Sequence, residues 1–180
     1  MRGRKLNNFN LLVSTSRFNE DNAKAEIWFT LLTCGDRYSI ISDLDFSGLI
    51  AVLTTINHRN IISKIKRILN NDPNFFQYIL KIIPIDFVCQ TNSKIIKTII
   101  QSHYRDYING DESFMIELNR RKNDLIERDG LIESIAKFIY NKVDLENPDK
   151  IIRIEILRNM TGISFLQQDD VIKTKVSIQT

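Results

Sequence analysis

The chain has 180 residues and a mass of 21.0 kDa, is 43% hydrophobic and 26% charged, and carries only three prolines and six glycines. This excludes a disordered, collagenous or low-complexity chain, which could not bury enough apolar surface to offset ordering entropy. That length suits one ordinary domain or two small ones and is too little for a modular enzyme with separate binding and catalytic lobes, while 25 basic against 22 acidic side chains leave any nucleic-acid surface to local placement.

The basic start, Met1 to Lys5, is followed by only Phe9 to Val13 before Ser14, Thr15, Ser16 and Arg17 interrupt the apolar run. That is too short for a signal-peptide core or a membrane span, so a soluble, cytoplasmic protein is expected. Phe9 to Ser14 reads as a strand, and Asp21 to Cys34 as a helix with Ala25, Trp28, Phe29 and Leu32 at helical spacing, stopped at Gly35. Tyr38–Ser42 and Leu49–Ile56 are two β-branched runs joined by a polar connection, as in an antiparallel pair. Asn60 to Leu69 returns to helix, and Phe76 to Cys89 is extended, Pro84 being tolerated at an edge or a bulge. The order β-α-β-β-α-β is that of the ferredoxin-like unit, so residues 1–91 are expected to form an N-terminal ferredoxin-like domain.

After Thr91 the pattern restarts. Asn92 or Ser93 can cap a helix in which Ile95, Ile96, Ile99, Ile100, His103 and Tyr107 recur at three and four, ended by Asn109-Gly110. Phe114 to Leu118 alternates as a strand and runs into Asn119, Arg120, Arg121 and Lys122. Gly130 precedes a second helix, Leu131 to Val143; Asn147-Pro148 breaks the chain. Ile151 to Leu157 is a strand whose hairpin partner is Ile163 to Leu166 across the Asn159–Gly162 turn. This α-β-α-β-β unit covers residues 92–170, with 171–180 a weakly patterned C-terminal tail; the fold class expected is α+β throughout.

Cys34 and Cys89, with His58 and His103, show no CxxC, HxxxH or HExxH spacing, so each cysteine reads as a small buried hydrophobe and no metal is expected. No GxGxxG or GxxxxGK[ST] loop is present and no cofactor is expected. Asp43, Asp45, Asp86, Asp169 and Asp170 lack a recognisable partner base or nucleophile and read as turn residues and solvated charges.

The segment Phe114-Met115-Ile116-Glu117-Leu118-Asn119-Arg120-Arg121, then Gly130 to Ala136, Val143-Asp144-Leu145-Glu146-Asn147-Pro148-Asp149 and Ile152 to Ile156, resembles the THUMP domain of tRNA-modifying proteins, in which an N-terminal ferredoxin-like domain precedes the THUMP. The start, Asn10 to Arg17 with Glu20, and later Gly35-Asp36, is most similar to stand-alone THUMP adaptors that assist tRNA cytidine acetylation. The resemblance implies a non-enzymatic tRNA-binding adaptor. It would recognise the acceptor stem and 3′ CCA end and deliver them to a tRNA cytidine acetyltransferase, which brings acetyl-CoA and ATP and forms 4-acetylcytidine. The alternatives are a detached THUMP subunit serving thiolation, methylation or pseudouridylation, or a small enzyme with an unrecognised site. Where family members often place a glycine after the basic turn, this chain has Arg121-Lys122-Asn123-Asp124.

A-form RNA presents phosphates and 2′-hydroxyls rather than a readable major groove, so a binder needs positioned Arg and Lys. Arg120, Arg121 and Lys122 meet that need at a strand end, Arg's planar fork suiting phosphate; a solvated charge run in a turn is the alternative. Arg17 follows the first strand, and Lys94 and Lys97 open a helix whose N-terminal amides could hold a phosphate. Arg153 and Arg158 either face RNA or pair with Glu155 and Asp149.

Overall fold

The computed structural model describes residues 7–121 and 126–174. The first unit contains residues 7–85 and 170–174. Strand β1 (Leu11–Thr15) lies between β3 (Leu49–Leu53) and β4 (Ile79–Pro84), with β2 (Ile40–Asp43) outside β3, all antiparallel. Helices α1 (Glu20–Thr33) and α2 (His58–Asn71) send Ala23, Ile27, Leu31, Ile61, Ile62 and Ile65 into one core with Leu11, Val13, Ile50, Val52, Ile79 and Ile82, so both cover the same face. This is the ferredoxin-like arrangement read from periodicity. Asn57 starts α2, its side chain accepting the Arg59 and Asn60 amides, and supplies partners that a helix N-terminus otherwise lacks.

Glu20 and Asp36, prominent in the adaptor resemblance, tie parts of this fold together, and Gly35, at φ +94, ends α1. Glu20 accepts the Gly48 N–H at 2.6 Å. Gly48 has φ +75, and a Cβ there would stand 2.5 Å from the Thr15 carbonyl oxygen, so the turn requires glycine. Asp36, 1% exposed, accepts from the Thr54 hydroxyl, the Thr55 amide and hydroxyl, and the Tyr38 amide. Burial pushes its carboxyl up, but these donors prevail and hold it below the ordinary carboxylate range.

The extended stretch 76–89 is two strands in two different sheets. Beyond Pro84, which offers no N–H to a ladder, Ile85 donates to Asn10 of the first unit and Asp86 to Ile163 of the second. Strand β5 (Phe87–Gln90) then pairs with β8 (Met160–Leu166). The second unit therefore spans 86–169 rather than 92–170. The tail differs as well: β9 (Ile172–Lys173) returns to pair with β4 of the first sheet.

In the second unit, α3 (Ser93–Tyr107), β6 (Phe114–Arg121), α4 (Arg128–Ala136) and β7 (Lys150–Leu157) complete a sheet of order β5-β8-β7-β6. The β6–β7 pair is parallel and the others antiparallel. Ile152, Ile154, Ile156, Ile163, Phe114 and Leu118 meet Ile96, Ile100, Tyr104, Leu131 and Ile135 of the two helices in its core. His103 stacks on Phe87 at 4.5 Å, the packing role. Helix α4 is shorter than the expected Leu131–Val143 and starts earlier, because Glu127 caps it by accepting the Asp129 and Gly130 amides. It stops at Ala136, and the chain then extends so that Val143 bridges Phe114.

Candidate nucleic-acid interface

The register of the second sheet decides which cations meet. Strand β6 runs longer than the alternation of Phe114–Leu118 suggests, because Arg120 and Arg121 pair across β7 with Ile156 and Leu157. Both arginines are thus fixed in the last turns of a strand rather than in a loop, and both are exposed. Arg158 sits in the tight β7–β8 turn with φ +55, and its N–H donates to the Arg121 carbonyl. On the other side of that turn, the Asn159 carbonyl accepts the Thr91 N–H at 2.9 Å, and the Thr91 and Thr161 hydroxyls bond at 2.9 Å. Thr91 leads directly into α3, whose first turns carry Lys94 and Lys97. One end of the sheet therefore gathers Lys94, Lys97, Arg120, Arg121 and Arg158 from three separate stretches of chain.

The gathering is pre-organised. One Arg120 N–H donates to the Ile126 carbonyl at 2.7 Å, which anchors the guanidinium of this exposed residue through one of its five donors. Among the described residues no carboxylate lies within ion-pair distance of Lys94, Lys97, Arg120 or Arg121. The nearby acids are committed: Glu127 to the α4 cap, and Asp129 to Arg128 at 3.1 Å. The N-terminal amides of α3 are less available than its position suggests, since Asn92 Oδ1 accepts those of Lys94 and Ile95. Its lysines, rather than its amides, face outward.

Charge is sorted along this unit rather than in excess. Between residues 86 and 169 there are twelve basic and fourteen acidic side chains. The acids concentrate at the opposite end, where β6 and β7 begin. Asp149 accepts the Ser113 amide and hydroxyl at 2.8 and 2.7 Å, and Asp144 accepts the Asn147 and Glu146 amides. Those bonds hold both carboxyls below the ordinary range. The segment Val143–Asp149 is thus a latch on the strand starts, and the unit presents a positive end and a negative end to a polyanion.

The remaining expected contact residues are Arg153, Arg17 and Lys122. Arg153 lies inside the sheet, 8% exposed, with Nε 2.6 Å from Glu155 and a terminal nitrogen 2.6 Å from Glu117; Asn119 also bonds Glu155. It is neutralised and does not belong to the basic end. Arg17 is exposed beyond β1 in the first unit. Lys122 lies outside the described residues. Arg128, in the first turn of α4, lies at the same end of the second unit and was not among the expected residues; it stands between Glu127 and Asp129, so no run of basic residues marks it in the sequence, and it pairs with Asp129 at 3.1 Å. Cys34 and Cys89, both free, belong to different units, and burial pushes the Cys89 thiol up to about 11. Among the described residues no group of three or more His, Cys, Asp or Glu could hold a metal ion, and no helix is long and apolar enough to cross a membrane.

Residues 90–166 match the THUMP domain family model. The chain is 30% identical over 96 residues to THUMP domain-containing protein 1 homolog of Drosophila melanogaster, covering 50% of this chain and 30% of that protein. It is 29% identical over 106 residues to the tRNA acetyltransferase TAN1 of Saccharomyces cerevisiae, covering 52% and 37%. The chain thus spans about a third of the length of these relatives. Among solved structures, the Pyrococcus horikoshii protein PH1313 superposes with a TM-score of 0.63 at 19% identity, covering 92% of this chain and 55% of that one. A 4-thiouridine synthetase in complex with RNA and ATP superposes with a TM-score of 0.55 at 10% identity, covering 93% and 42%.

Proposed function

From the premise that residues 90–166 of this chain are a THUMP domain, we propose that the protein binds tRNA as a non-catalytic adaptor, holding the acceptor stem and 3′ CCA end. On this reading it presents the tRNA to a separate acetyltransferase that forms 4-acetylcytidine. The observation that carries the reading is the basic end of the second unit, where Lys94, Lys97, Arg120, Arg121 and Arg158 meet on a rigid sheet margin. Such an array suits a phosphate backbone and does not need base-specific chemistry. The similarity to the yeast tRNA acetyltransferase supports acetylation as the modification served, and the fold shared with a synthetase crystallised on RNA supports RNA as the ligand class.

Within this reading the adaptor acts by position. Phosphate contacts set the register of the tRNA but carry little sequence information. The gain at the enzyme is an effective concentration of the target cytidine, because two linked binding events replace a bimolecular encounter. The enzyme supplies acetyl-CoA, ATP and the chemical step; this chain's residues bind and orient.

The test is reconstitution. Acetyltransferase, tRNA, acetyl-CoA and ATP are combined with and without this protein, and 4-acetylcytidine is measured by mass spectrometry of digested tRNA. A rise in acetylation that is lost with Arg121→Ala/Arg158→Ala, and reduced on tRNA lacking CCA, supports the adaptor. Tight tRNA binding with no effect on acetylation assigns the protein instead to another tRNA-modifying enzyme as a detached subunit. Turnover by this protein alone contradicts both.

A further inference from the structure

At the end of α3 opposite the basic margin, a cleft of about 400 Å³ opens between the helix terminus and residues 140–141. Its floor is the buried ring of Tyr104, and its walls are Arg105, Ile108, Asn109, Tyr140 and Asn141. Tyr140 is 86% exposed. An aromatic ring left in water on a loose loop would call for no explanation, but this segment is anchored on both sides. Ile139 is buried. The Asn141 side-chain amide donates to the Asn109 and Glu112 carbonyls at 2.6 and 2.9 Å, and the next carbonyl, Lys142, accepts the Phe114 N–H at 2.9 Å. The chain therefore holds Tyr140 outward in a fixed place, where its ring contributes little to the core.

Arg105 is similarly placed. Its Nε donates to the Tyr104 hydroxyl at 3.0 Å, with the guanidinium carbon 5.5 Å from the ring centroid, which sets the cation at the hydroxyl end of the ring. Among the described residues no carboxylate lies within ion-pair distance of it, so its outer N–H groups are directed at the cleft and solvent. Arg105 also lies on the outward face of α3 that begins with Lys94 and Lys97 and continues through Gln101. Eleven residues at 1.5 Å rise place Arg105 about 17 Å from Lys94 along the axis. No acidic residue lies on that stripe between them.

A planar ligand with apolar faces, a hydrogen-bonding edge and an attached negative charge fits this lining: a tyrosine face, side-chain amides and an unpaired guanidinium. We propose that the cleft takes an unpaired base of bound RNA, stacked on Tyr140, with Arg105 on the adjoining phosphate. The outer face of α3 is then the path that leads a single strand there from the basic margin. The assignment rests on the RNA-binding reading above and adds a base-stacking site to its phosphate contacts. Aromatic platforms of this kind tolerate any base, since every base has a π-face.

The experiment uses the full chain and two RNA hairpins of equal duplex length, one blunt and one with a four-nucleotide 3′ single strand in which 2-aminopurine replaces each nucleotide in turn. The proposal expects the tailed RNA to bind about 5- to 150-fold more tightly than the blunt one, the equivalent of one stacked base. It also expects 2-aminopurine fluorescence to be quenched at one or two tail positions. Tyr140→Ala abolishes the quench and the tail preference while leaving the salt dependence of blunt-hairpin binding unchanged. Tyr140→Phe retains both. Tyr140 is exposed, so the alanine variant should keep its circular dichroism spectrum and thermal midpoint. Equal binding of blunt and tailed RNA, or an undiminished quench in Tyr140→Ala, overturns the base site and leaves the phosphate reading standing. Failure of both hairpins to bind overturns the two together.

Discussion

Removing Arg121 and Arg158 together should flatten the salt dependence of tRNA binding. Each phosphate neutralised on a duplex contributes about 0.9 to the slope of log affinity against log salt. If Lys94, Lys97, Arg120, Arg121 and Arg158 each meet a phosphate, the slope is about −4.5, and affinity falls roughly 500-fold between 50 and 200 mM salt. The double alanine variant keeps three contacts, a slope of about −2.7 and a fall of roughly 40-fold over the same range. Both residues are exposed, and the backbone bond joining them runs from the Arg158 N–H to the Arg121 carbonyl, so alanine preserves that bond. Fluorescence anisotropy of labelled tRNA at four salt concentrations measures the slope. Arg67→Ala, which removes a cation from the exposed side of α2 in the first unit, is the matched control and should leave the slope alone. An unchanged slope in the double variant, or an equal flattening in Arg67→Ala, refutes a phosphate site at the sheet end.

Arg153→Ala should cost about 3 kcal/mol, the low end for breaking a buried pair because Glu117 is 38% exposed; thermal denaturation should fall by roughly 6–12 °C, and an unchanged midpoint would show the charge triad to be idle. Asp144 and Asp149 have folded pKa values below their unfolded ones, so their stabilisation is complete above the ordinary carboxylate range near pH 4 and is lost as pH falls through the folded values. Urea midpoints measured from pH 7 to pH 2 should decline below about pH 4, with a shallower decline in Asp149→Asn; identical acid limbs would contradict the latch. Phe18, 96% exposed at φ +69, should be improved by glycine by about 0.5–1 kcal/mol, raising the thermal midpoint by a few degrees, and a lower midpoint would argue that the ring has a contact of its own.

Much of this architecture is written in local patterns, and what escapes them is pairing. Most of the elements from Phe9 to Pro84 follow from period and punctuation, but in α1 the stripe Ala25, Trp28, Phe29 and Leu32 is not the core face: Trp28 and Phe29 are exposed, and Ala23, Ile27, Thr30 and Leu31 are buried instead. The change of sheet at Ile85 and Asp86 is hidden, since both flanking strands are apolar and nothing local says which partner each will find. Strand β6 reads as ending at Leu118 because Arg120 and Arg121 break the alternation; only the parallel neighbour β7 keeps them extended. The same β6–β7 pairing decides Arg153, whose fate depends on Glu117, 36 residues away in sequence and directly opposite in register. Arg158 and Lys94 share no pattern at all and come together because the Thr91–Asn159 bond closes the end of the sheet.

Ultraviolet cross-linking of the protein to tRNA, followed by mass spectrometry of the attached peptides, tests the placement of the RNA directly. Cross-links concentrated in 91–97, 120–128 and 158–159 are the predicted result, with a further cross-link at Tyr140 where the single strand reaches the base cleft. Cross-links confined to the opposite end of the second unit, at 111–113 and 143–150, where the carboxylates gather, would contradict it.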